Sequence, residues 1–196
     1  MRWHHIAPAA SLLVIAAPAA AHILPFHGTD LTDGFAHPFL GIDHFLAMVA
    51  VGLWAGILGG SAIVLLPLAF PALMVVGELV ALAGFPLPFV EPAIAASVLV
   101  LGLAVTLAWR PAMRWGLLAV ALFGLFHGYA HGAEWPNGDV PIRYAIGFVA
   151  ATFLLHAFGI ALGVFAGRFG QPFLARLAGV GVALSGLVLA AMSAFE

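Results

Sequence analysis

Histidine stands out in this chain: nine residues, set against six arginines, no lysine and no cysteine. Two groups of them have spacings that could do chemistry. The first is His37-Pro38-Phe39-Leu40-Gly41-Ile42-Asp43-His44. On one continuous helix, His37 and His44 would fall within about 20° of each other and about 10 Å apart along the axis, with Asp43 alongside. Pro38 suits a first helical position with His37 as its cap, and a non-helical turn there would bring His37 closer to the pair. The second group is His127-Gly128-Tyr129-Ala130-His131-Gly132-Ala133-Glu134. Its histidines and Glu134 share one helix face, and an i, i+4 histidine pair is a bidentate metal platform. Imidazoles and carboxylates without sulfur favour a borderline divalent ion such as Ni²⁺, Co²⁺, Zn²⁺ or Cu²⁺, and ligand type alone does not choose among them.

The elements that must position these groups are membrane helices. Apolar residues make up 64% of the 196 and charged residues 7%, against roughly 25% charged in soluble domains. Too little charge remains to cover a water-facing surface, so the expected class is an all-α integral membrane protein surrounded by lipid. A net charge of −2 excludes a nucleic-acid footprint, and the lack of cysteine excludes a disulfide framework.

Met1 to Ala21 resembles a signal peptide: Arg2, an apolar stretch from Ile6 to Ala17, and small residues at Ala19 and Ala21. Cleavage there leaves His22 at the mature N-terminus. Residues 22–36 are then expected to form an extracytoplasmic segment, and residues 37–196 a six-helix transmembrane domain. At roughly 20 residues per crossing, breakers divide that domain into six spans, near 37–58, 61–83, 91–109, 114–132, 141–166 and 173–195. With both mature termini outside, Arg110, Arg114, Arg168 and Arg176 lie on the cytoplasmic side, while Asp30, Asp33, Glu91, Glu134 and Asp139 lie on the other. Pro67 and Pro71 imply a kink or local unwinding in the second span. Gly159 and Gly163 allow close helix packing.

This topology puts His37, Asp43, His44, His127, His131 and Glu134 in one layer of the outer half of the membrane, where ionisable groups are costly and usually functional. Glu78 belongs to the same half as a further ligand or charge partner. His156 lies about 22 Å into the fifth span, nearer the inner side. His22 and His27, with the linker acids Asp30 and Asp33, either capture ions or form a solvated linker.

The first segment, continuing Phe45-Leu46-Ala47-Met48 to Trp54-Ala55, resembles the HupE/UreJ family, and Phe126-His127-Gly128-Tyr129-Ala130-His131-Gly132-Ala133-Glu134 is similar to that family's second signature. The likeness extends over the whole chain. It implies a bacterial inner-membrane permease for nickel, in some members cobalt, associated with nickel hydrogenase or urease. Carried over by position, its functional residues are His37, Asp43, His44, His127, His131 and Glu134. Ni²⁺, or Co²⁺ or Zn²⁺, is then a transported or bound ion and not a permanent cofactor, and the chain is not an enzyme. The alternatives are a membrane-embedded metal-dependent hydrolase using the same cluster, with Glu134 as general base, and a metal-binding accessory subunit without transport. Protonation of the imidazoles at acidic pH should weaken binding.

Overall fold

The structure is a computed structural model that describes residues 30–133 and 142–193. The expected signal peptide, His22, His27 and Glu134 lie outside the described residues. Seven helices follow one another: α1 (Leu31–Leu40), α2 (Ile42–Leu58), α3 (Ala62–Leu82), α4 (Val90–Thr106), α5 (Met113–Ala133), α6 (Ile142–Arg168) and α7 (Pro172–Ser193). Among the described residues there is no strand.

Helices α3, α5, α6 and α7 are long and apolar enough to cross a membrane, and α1 with α2 passes the same test as a pair bent by 84°. Helix α4 is equally apolar in character but has 17 residues. The outward faces carry Val64, Leu68, Leu122, Leu154, Phe158 and Leu184, all exposed, whereas Asp43, His44, His127, His131, Thr152 and His156 are buried. Apolar outside and polar inside is the arrangement lipid selects, and the protein is a multi-pass membrane protein.

Helix α2 runs through the middle of the bundle. Its residues from Ala47 to Ala55 are almost wholly buried, and it packs against α1, α3, α4, α6 and α7. Around it the closest pairs are α3 with α5, α4 with α7, and α6 with α2 and α1. Where lipid is as apolar as a side chain, close backbone approach drives such packing. Gly124, Gly128 and Gly132 of α5 meet the backbones of Phe70, Met74 and Glu78 on α3, so both helices advance four residues at each step. A methyl at any of the three glycines would strike α3. Gly159 and Gly163 of α6 likewise lie against Val49 and Leu53 of α2.

The first expected span, 37–58, is not one helix. Gly41 is extended (φ −85°, ψ 109°) and separates α1 from α2. A side chain at 41 would press on the Asp43 carboxylate and the His44 ring, so glycine makes room for that pair while favouring the break. His37 and Pro38 consequently lie near the end of α1 and do not start a span. Asp30 and Asp33 are not free linker acids: the Asp33 carboxylate accepts the Asp30 backbone N–H at 3.1 Å at the start of α1. Asp30 also pairs with Arg143 at 3.8 Å. Helix α3 stays helical through both prolines, so no unwinding occurs there.

Candidate metal centre

The bend at Gly41 folds α1 back over the start of α2, and α5 brings its C-terminal turns alongside. Four imidazoles from three helices meet there. His37 lies 4.7 Å from His131 and 6.0 Å from His44 between ring centroids. His44 lies 4.6 Å from His131 and 4.9 Å from His127. His44, His127 and His131 are at most 5% exposed.

Hydrogen bonds orient two of the rings. The Asp43 carboxylate Oδ1 accepts the His44 backbone N–H at 2.8 Å and faces His44 Nδ1, also at 2.8 Å. A carboxylate only accepts, so Nδ1 carries the proton and the lone pair lies on Nε2. His127 Nδ1 donates to the Phe123 carbonyl one turn back, at 2.9 Å, which leaves its Nε2 lone pair buried with no hydrogen-bond partner among the described residues. This is how metal-binding imidazoles are usually held, by a second partner behind the ring. Both nitrogens of His131 are buried without a hydrogen-bond partner among the described residues. Asp43, expected as a ligand, is here occupied in positioning His44.

Three of the ring pairs meet edge to face and the His44–His131 pair is tilted at 55°, and among the described residues no three His, Asp or Glu side chains already converge as a coordination sphere. Glu134, three residues beyond His131, lies outside the described residues. Glu78 is half-buried and lines, with His131, Met74, Tyr144 and Phe148, a cleft of about 40 Å³ between α3, α5 and α6. That is ample for a water-sized occupant. His156 is apart from the cluster. The Phe70 ring stands between, with its centroid 5.3 Å from His127 and 5.6 Å from His156.

Three aromatic residues here were not singled out from the sequence. Phe148 packs on His131 at 4.5 Å, Tyr144 on His37 at 5.9 Å, and Phe70 on His127. A usable signal existed for two of them. Tyr144, Phe148, Thr152 and His156 recur every four residues, the period of one helix face, and all four are buried.

Fold and site together define a polytopic helical membrane protein with an imidazole cluster held inside its bundle. The family model of the HupE / UreJ protein matches residues 10–189. Protein HupE of Rhizobium leguminosarum bv. viciae is 42% identical over 182 residues, covering 91% of this chain and 94% of that protein. The chain belongs to the HupE/UreJ family. No solved structure matches it.

Proposed function

We propose that this protein is a permease that carries Ni²⁺, with Co²⁺ as an alternative cargo, inward across the bacterial inner membrane. The observation that supports this most is the meeting of His37, His44, His127 and His131 from three helices inside an apolar bundle. Neutral imidazoles are exchangeable ligands for a partly dehydrated divalent ion. Rotation of rings already in contact would turn their lone pairs onto one ion, while Asp43 and Glu134 offset its charge. Glu78, at the cleft that reaches His131, lies on the approach, and His22 and His27 would collect ions ahead of it.

In this reading a signal peptide is removed, both mature termini face the periplasm and the chain crosses six times, with α1 as a half-helix folded into the outer leaflet. Discontinuous helices of this kind commonly frame ion sites in transporters.

The test is ⁶³Ni²⁺ influx into proteoliposomes, comparing wild type with His44→Ala and His131→Ala. Saturable influx in the wild type, reduced at least tenfold in both variants with folding retained, is the expected result. Ni²⁺ bound by the wild type without flux would overturn the permease reading in favour of an accessory protein.

A further inference from the structure

His156 is polar, central in α6, 1% exposed and outside the cluster. Neither of its ring nitrogens completes a hydrogen bond of ordinary geometry among the described residues. An imidazole kept so deep in an apolar bundle is costly unless it has an occasional partner. The backbones around it show where the side chain goes. Gly52 of α2 lies directly against the His156 backbone, so the two helices touch at that level and the ring is turned toward α3. There it meets Phe70 and comes within electrostatic reach of the Pro67 carbonyl.

That carbonyl is unusual in its own right. In an uninterrupted helix it would accept the N–H of residue 71, but residue 71 is proline and has none. One turn earlier, Pro67 releases the Ile63 carbonyl in the same way. Two prolines four residues apart thus leave two backbone oxygens of α3 without their usual i+4 donors, and one of them, the Pro67 carbonyl, faces the His156 ring.

We infer that His156 and the Pro67 carbonyl form a second, inner station for a divalent cation, reached from the histidine cluster past Phe70; this rests on the permease reading. His44 and Gly52 are eight residues apart on α2, so the station lies about 12 Å deeper than His44. The stripe of Tyr144, Phe148, Thr152 and His156 joins the two levels along one face of α6. The cluster has Asp43 to offset charge, whereas the inner pair offers one neutral nitrogen and one carbonyl oxygen. An ion is held there more loosely than at the cluster, as a step toward release requires.

The test uses the full-length protein in proteoliposomes, with Ni²⁺ as the probe and His156→Leu and His156→Gln as variants. Equilibrium Ni²⁺ affinity at the cluster is expected to stay within about twofold of wild type in both. Maximal influx should fall at least tenfold in His156→Leu with KM nearly unchanged, and His156→Gln, which keeps a donor oxygen, should recover part of the rate. Wild-type influx in His156→Leu would overturn the inner station and leave the permease reading intact. So would loss of cluster affinity in both variants, the mark of a packing defect. A wild-type protein that binds Ni²⁺ without flux would overturn both.

Discussion

At the scale of single residues, the site depends on what stands behind each ring. Imidazole has two nitrogens, and a hydrogen bond donated by one fixes the tautomer and the ring so that the other presents its lone pair to a metal. Asp43 performs that service for His44 at 2.8 Å, and the Phe123 carbonyl does so for His127 at 2.9 Å. Asp43→Asn keeps an oxygen that can accept from Nδ1 but removes the charge. The loss of such a carboxylate typically weakens metal affinity about 10–100-fold. Asp43→Asn is therefore expected to raise the KM for Ni²⁺ influx by that order, and isothermal titration on the detergent-solubilised protein should show the same loss. An unchanged affinity would mean that Asp43 only tethers the start of α2. The histidines and acids were legible in the sequence because so few ionisable residues occupy so apolar a chain. Their division of labour was not legible, since spacing shows which residues can share a face and not which atom turns toward which.

At the scale of elements, most boundaries follow from breakers. The separators Gly59-Gly60, Gly84 to Pro92 and Arg110-Pro111 fall where helices end or begin. The exception is Gly41. One extended residue inside an apolar run changes the chain's direction by 84° without altering hydropathy, so a window reading sees one span. The bend alone brings His37 to 4.7 Å from His131. The glycines of α5 fix the other half of the site, because Gly128 sits between His127 and His131 and lies against the Met74 backbone. Gly128→Ala places a methyl against backbone, which has no rotamer by which to escape. It should destabilise the bundle by on the order of 1–3 kcal/mol, the usual cost of overpacking. Gly181→Ala, where nothing stands within 4 Å, should be neutral or stabilising by up to about 1 kcal/mol from helix propensity. Thermal unfolding in detergent separates the two. Equal stabilities would show that α3 and α5 are not held by this seam.

At the scale of the whole molecule, charge and packing define the two ends of the bundle. The C-terminal ends of α2 and α4 are locked together. Trp54 and Trp109 stack at 5.9 Å, the Trp54 indole N–H donates to the Trp109 carbonyl at 2.8 Å, and Arg110 donates to the carbonyls of Ile57 and Leu58. Arg114 begins α5 close by, and Arg168 ends α6, whose Gly163 packs against Gly56 near the same end of α2. Among the described residues, Arg110, Arg114 and Arg168 thus gather at the end opposite the histidine cluster, whereas Arg143 pairs with Asp30. Positive charge marks the cytoplasmic face, so the cluster should open to the outside and His156 should lie toward the inside. The absence of native cysteine makes this directly measurable, because any single introduced thiol is the only one present. Ser61→Cys and Gln171→Cys, both at exposed connections, are expected to react with a membrane-impermeant maleimide only after permeabilisation. Pro86→Cys, in the exposed connection between α3 and α4, should react in intact spheroplasts. Labelling of 61 and 86 from the same side would mean that α3 does not cross. Labelling of 171 from outside would invert the direction in which the cluster and His156 can act on an ion.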